Sequence, residues 1–182
     1  VHPAVGTEMR QWPPAFFAEL IDLLVERNGV HVILIGGPDE MDVATTVLDR
    51  VRNRRSVWNV VGAFSLADLP GVLRRCVLFV GNNSGPKHIA AGLGVPTVGI
   101  HSGVVDAHEW GPVGPRAVAV QRDMSCSPCY LTKMEDCQRG FACMTGLGPG
   151  DVYRICERLL ATGNGETPRG DAKRTRRSRR SS

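Results

Sequence analysis

Apolar positions along this chain switch between helical spacing and short unbroken runs. Phe16, Leu20, Leu23, Leu24 and Arg27 recur at helical spacing after the Trp12-Pro13-Pro14 break, and Asn28-Gly29 closes that predicted helix. The run over residues 30–36 reads as a buried parallel strand ended by Gly36 and Gly37. Glu40 then opens a helix through Val43, Val47, Leu48 and Val51. The pattern repeats with strands predicted over 57–61, 77–80 and 97–100, and helices over 65–76 and 86–93. A last stripe of Val152, Ile155, Cys156, Leu159 and Leu160 predicts a closing helix docked on the sheet and stopped by Gly163.

Strands alternating with helices imply an α/β fold with a Rossmann-like, doubly wound parallel sheet. Ligands of such sheets sit beyond the carboxyl ends of the strands. Three polar turns fall there: Gly36-Gly37, residues 82–88 and His101-Ser102-Gly103. The middle turn carries the most chemistry. Ser84 and Gly85 allow close backbone approach, Pro86 suits a first helical turn, and the next amides face outward at the positive end of the helix dipole. Lys87 and His88 add side-chain donors. Taken alone, the turn equally fits an ordinary strand-to-helix connection in which Ser84 caps the helix and His88 is a satisfied, half-buried imidazole.

Charge is unevenly placed. Residues 163–182 hold seven of the 22 Lys and Arg but two of the 18 Asp and Glu, leaving residues 1–162 with 15 basic and 16 acidic side chains. The expected domain is therefore residues 1–162, with 163–182 a disordered basic tail whose apolar residues, glycines aside, are Pro168 and Ala172. No aromatic residue interleaves with those arginines, so base stacking is unavailable and nucleic acid is not an expected partner. No apolar run reaches the roughly 20 residues that span a bilayer, and no basic-then-apolar leader opens the chain, which reads as soluble and cytoplasmic. The first residue is Val1, just before a motif, so the chain is expected to begin partway through something longer.

The ordered set His2-Pro3-x-x-Gly6, Arg10-x-Trp12-Pro13, Gly36-Gly37-Pro38-x-Glu40 and Asn83-Ser84-Gly85-Pro86-x-His88 resembles the C-terminal domain of glycosyltransferase family 9. That family comprises the ADP-heptose heptosyltransferases and relatives fused to tetratricopeptide repeats. The resemblance covers residues 1 to about 162. It implies the donor-binding half of a two-domain GT-B enzyme that is inverting and needs no cofactor for catalysis. Such an enzyme moves a heptose or similar sugar from a nucleotide diphosphate, ADP-heptose first among candidates, to a hydroxyl of a saccharide or protein. It also implies Ser84, Gly85, Pro86, Lys87 and His88 around the donor diphosphate, Arg10 as a phosphate-binding cation, and Glu40 accepting from the ribose. Two departures stand out: Asn83 where the family often differs, and Ala4 where it often has Gly. The family's general base comes from an N-terminal domain or repeat-linked region, so none is assigned here. Asp106, His108 and Glu109 are weighed as substitutes and read as solvated loop residues.

Residues 123–146 read as a Cys-rich insertion. Cys126 and Cys129 form a Cys-x-x-Cys pair, Cys137 follows after seven residues and Cys143 after five more. Four thiolates at this density can hold a metal tetrahedrally, and relatives with similar sets bind iron; zinc is the other candidate, as a structural ion. Reduced or disulfide-linked cysteines packing a loop are the competing reading. Cys76 and Cys156 read as core residues. Two further functions compete with the transferase: a nucleotide-binding or assembly module without turnover, and binding of nucleic acid or anionic surfaces by the tail.

Overall fold

The computed structural model describes residues 1–162; the basic tail and the Gly163 stop lie outside the described residues. In chain order the elements are α1 (Pro14–Asn28), β1 (Val32–Leu34), α2 (Met41–Leu48), β2 (Val57–Asn59), α3 (Leu69–Leu73), β3 (Phe79–Asn82), α4 (Gly85–Gly92), β4 (Thr97–His101), α5 (Ala107–Trp110), β5 (Ala117–Gln121), α6 (Ala142–Thr145) and α7 (Pro149–Ala161). Helix α1 begins at a proline, whose missing N–H costs nothing in a first turn. It ends at Gly29, left-handed at φ 63°, whose N–H returns to the Val25 carbonyl.

Strand β1 pairs with β2, and β3, β4 and β5 pair in that order, all in parallel. Residues 1 and 2 join the two groups. The Val1 carbonyl accepts from Ile35 N–H at 3.0 Å and the Val1 amino group donates to the Ile33 carbonyl at 2.7 Å. On the other side His2 N–H reaches the Val80 carbonyl at 2.9 Å. His2 also makes a parallel bridge to Gly81. The lateral order is therefore β2, β1, residues 1–2, β3, β4, β5, the doubly wound order, with winding reversing between residues 1–2 and β3.

Helices cover both faces. On one, α1, α2 and α7 share a core with Trp12, Phe17, Leu20, Val98, Ile100 and Tyr153; on the other, α3 and α4 bury Leu69, Leu73 and Ala90 against Ile35 and Phe79. Trp12 is fully buried, stands edge-on to Phe17 with centroids 4.8 Å apart, and donates its indole N–H to the Leu147 carbonyl. Each such aromatic or aliphatic side chain contributes about 1.5–3 kcal/mol by leaving water.

The expected α/β class, the parallel sheet and its order of elements hold, with local corrections. The strand expected over 77–80 is displaced: Val77 is 63% exposed and the ladder runs through Asn82. The helix expected over 65–76 shrinks to α3. Pro70 has no N–H to continue a helix entered from upstream, and the Asp68 carboxylate instead closes residues 65–68 into a turn by accepting from Ser65 N–H and Oγ. Strand β5 was not expected. Its Ala-Val-Ala-Val run is short and small, and only pairing with β4 defines it. No helix among the described residues is long and apolar enough to cross a membrane.

Candidate functional site

The winding reversal opens a cavity of about 290 Å³ above the carboxyl ends of β1 and β3. One wall carries the polar side chains of His2, Glu40 and Ser84, with Gly85 and Pro86 beside them. The other is apolar: Val60, Phe64, Leu66 and Leu69. Phe64 and Leu66 are 40% and 71% exposed, leaving an apolar face ready to be covered. A larger groove of about 790 Å³, lined by Val30, Val32, Trp58, Val77 and Leu78, lies at the amino ends of the strands and contains none of the expected site residues.

Ser84 is the N-cap residue of α4 by backbone, extended at φ −144°, yet its side chain makes no capping bond. Its Oγ lies 3.0 Å from His2 Nδ1 and 3.2 Å from the Asn82 carbonyl. The capping reading is thereby corrected: the first amides of α4 stay uncapped at the positive end of the helix dipole, beside the cavity. Glu40 is held in place from two sides. Its Oε2 accepts from Gly37 N–H at 2.7 Å and lies 3.0 Å from His2 Nε2. The bond from His2 holds the Glu40 carboxyl below its ordinary value, so it stands ionised. A side chain at Gly36 would meet Glu40 Oε2 at 2.6 Å, which explains that glycine.

Of the seven residues expected at a donor, Glu40, Ser84, Gly85 and Pro86 share the cavity; Arg10, Lys87 and His88 do not border it. Arg10 sits in the 3-10 turn Glu8–Arg10, close enough to depress the Lys87 pKa. Lys87 departs most from expectation: it is fully buried, and its ammonium donates to Asn83 Oδ1 at 2.6 Å and meets His88 Nε2 at 2.7 Å. Its methylenes fill the space left by Gly99, where a Cβ would stand 2.9 Å from Lys87 Cδ. Burial, then Arg10, lowers Lys87 to about 8. His88 is lowered by burial and by Lys87. Behind them His101 is fully buried, with neither ring nitrogen partnered among the described residues, and burial lowers it to about 3. His101 and Ser102 therefore back the site rather than line it.

His2 is the residue that sequence reasoning missed as a site residue. A histidine before a proline gives no periodic signal, and only the parallel bridge to Gly81 sets it between Glu40 and Ser84. Asp106 is accounted for as the N-cap of α5, accepting from His108 N–H at 2.8 Å, and neither it nor His108 nor Glu109 borders the cavity.

Cys126, Cys129, Cys137 and Cys143 all border one small cavity of about 20 Å³ with Phe141 and Leu131. All four are free thiols. Four soft donors bordering one cavity suit iron or zinc in kind and number. Among the described residues, however, no three His, Cys, Asp or Glu side chains stand close enough together to hold a metal ion. Burial pushes the Cys143 thiol up, so as arranged it is neutral.

The sequence profile of glycosyltransferase family 9 (heptosyltransferase) matches residues 1–138. Lipopolysaccharide heptosyltransferase 3 of Escherichia coli is 29% identical over 113 residues, which cover 62% of this chain and 33% of that protein. The chain thus matches about a third of the length of that curated relative. Among solved structures, E. coli ADP-heptose LPS heptosyltransferase II superposes with a TM-score of 0.75 at 20% identity, covering 90% of this chain and 46% of that one. The iron-containing dodecameric glycosyltransferase TibC of enterotoxigenic E. coli superposes with a TM-score of 0.69 at 14% identity, covering 91% and 47%. At these identities the structural likeness concerns the fold, and it matches the parallel α/β architecture described above.

Proposed function

Because the chain belongs to glycosyltransferase family 9, we propose that residues 1–162 form the donor-binding half of an inverting glycosyltransferase that moves a heptose or similar sugar from a nucleotide diphosphate to an acceptor hydroxyl. The observation that carries the reading is the uncapped amino end of α4 beside a cavity with an ionised carboxylate on one wall and an apolar face on the other. The nucleoside lies in the cavity, with its base on Phe64 and Leu66 and its ribose hydroxyls donating to Glu40. The diphosphate rests on the α4 amides at Ser84, Gly85 and beyond, with Arg10 and His88 at its outer edge. Lys87 acts from behind, as a buried positive charge.

In the reaction the acceptor oxygen attacks the anomeric carbon, the bond from that carbon to the phosphate oxygen breaks, and the nucleotide diphosphate leaves with the bonding pair. Helix amides and cations stabilise the charge gathering on the leaving diphosphate. The hydroxyl proton goes to a base outside these residues, on an acceptor-binding domain. ADP-heptose is the favoured donor, since relatives of similar fold are named for it or for heptose transfer.

The four cysteines belong to the same reading as thiols that close on a structural iron or zinc, supported by their common cavity and by the iron of TibC. Elemental analysis finding neither metal, together with an unchanged melting temperature in Cys126→Ser, removes the metal from the proposal. The donor site is tested by calorimetric titration with ADP, UDP and GDP. Saturable ADP binding that is lost in a Ser84→Ala, His88→Ala double variant supports it; failure of every nucleotide to bind refutes a self-sufficient donor site.

A further inference from the structure

Glu40, His2 and Ser84 form one unbroken hydrogen-bond chain across the floor of the cavity, joining two segments that the proposed function assigns to ribose and phosphate. The inference below rests on that reading of the cavity. His2 is 3% exposed, so its bonds are made to protein rather than solvent. An ionised carboxylate only accepts, and Glu40 Oε2 already takes the Gly37 N–H, so His2 Nε2 carries a hydrogen. The state of Nδ1 is then the one free variable.

In the neutral ring Nδ1 accepts. The single Ser84 proton points at it, and Ser84 presents lone pairs to the cavity, the wrong polarity for a phosphate oxygen. In the doubly protonated ring Nδ1–H donates to Ser84 Oγ. The hydroxyl proton is then released, resting on the Asn82 carbonyl at 3.2 Å or turning outward to an anion. A phosphate arriving at Ser84 therefore favours the protonated ring, which it and Glu40 flank from opposite sides.

We infer that His2 is a positioning residue of the donor site: it fixes Glu40 and Ser84 relative to each other, and diphosphate binding takes up a proton on its ring by reversing the hydrogen-bond direction at Ser84. The charged and titratable groups around it are few. Glu40 faces it from the turn before α2. The Val1 amino group is turned onto the Ile33 carbonyl. Past the Ser84 turn stand Lys87 and His88 on α4, with Arg10 near Lys87.

The test is calorimetric titration with ADP-ribose, whose two phosphates are both esterified and carry no proton that titrates near neutrality. It is run at one near-neutral pH in buffers of different ionisation enthalpy. The expected result is a binding heat that varies linearly with buffer ionisation enthalpy, with the sign of proton uptake. His2→Gln should flatten that dependence and weaken binding roughly tenfold to a hundredfold. Ser84→Ala breaks the same chain at a half-buried turn; it should also lose the uptake while keeping the wild-type melting temperature, which guards against a folding failure in the His2 variant. His88→Gln should weaken binding but retain uptake. Saturable binding with a buffer-independent heat overturns the role of His2 and leaves the donor site standing. Uptake that survives in His2→Gln and vanishes in His88→Gln also overturns it. Absence of any binding to the wild-type protein overturns both the inference and the donor-site reading.

Discussion

Asn82 fastens the first loop to the sheet, and its removal gives a calculable loss. The residue is fully buried at the end of β3; its Oδ1 accepts from Trp12 N–H at 3.0 Å and its Nδ2 donates to the Pro3 carbonyl at 2.7 Å. Asn82→Ala leaves the Trp12 N–H unpaired in a region closed to water, while the Pro3 carbonyl keeps its bond from Gln11 Nε2 at 2.7 Å. An orphaned buried N–H costs ~1–3 kcal/mol and the lost bond to Pro3 adds about 1 kcal/mol, so the substitution costs about 3 kcal/mol. That is a large share of a total stability of roughly 5–15 kcal/mol. At about 2–4 °C per kcal/mol for a chain of this size, the melting temperature should fall by roughly 6–12 °C. Urea unfolding followed by tryptophan fluorescence gives the free energy directly, with thermal melting as the check. At a temperature where the variant is fully folded, ADP affinity should fall as well, because Arg10 rides on the segment held between Pro3 and Trp12. A loss below about 1 kcal/mol with an unchanged urea slope refutes the claim that these two bonds hold the loop.

Three further outcomes follow from single contacts. Gly81→Ala would set a Cβ 2.8 Å from the His2 carbonyl and 3.1 Å from its Cβ, so it should weaken nucleotide binding and lower stability by about 1–3 kcal/mol in the same urea assay. His101 holds its proton only below about 3 when folded, against an ordinary 6.5. The unfolded chain therefore binds the extra proton between those values and stability is lost as pH falls through that window; His101→Phe should flatten the loss in pH-dependent unfolding. Lys87, lowered to about 8 from 10.5, works on the alkaline side: the unfolded chain holds the proton that the folded one releases, so stability should rise from pH 8 to about 10.5. Lys87→Met should abolish that rise.

The local pattern made the parallel α/β class legible, because buried parallel strands are continuous apolar runs and their helices carry one apolar stripe. Helix α1 was readable to its last residue because proline and glycine punctuate both ends. Strand β5 was not, although Gly114-Pro115 breaks the chain just before it: Ala117–Gln121 sets only two β-branched residues among small ones and is defined as a strand by hydrogen-bonding to β4. At the site, Ser84 stood out because a hydroxyl beside a glycine sits at a strand end, where ligands bind, whereas Glu40 read locally as a helix start and its ribose role was implied by the family resemblance. The direction of Lys87 could not be read. Its sequence neighbours place it on the first turn of α4, but the hole left by Gly99, twelve residues on in strand β4, draws it inward.

That inward lysine changes how positive charge reaches the cavity. A surface lysine would offer an ammonium that any anion could recruit and salt could screen. Here the ammonium is held by Asn83 and His88 behind the Ser84 turn, and the groups exposed to the cavity are backbone amides, a hydroxyl and a carboxylate. Backbone amides at a helix start are fixed in direction, so they favour an anion of one geometry over anions in general. A buried cation behind them adds field without adding a flexible contact. The carboxylate of Glu40 would by itself repel an anion, yet it stands on the far side of His2 from Ser84, so repulsion and attraction act at separate ends of one cavity. Such a division suits a ligand that is itself divided, hydroxyl-rich at one end and doubly phosphorylated at the other, as a nucleoside diphosphate is.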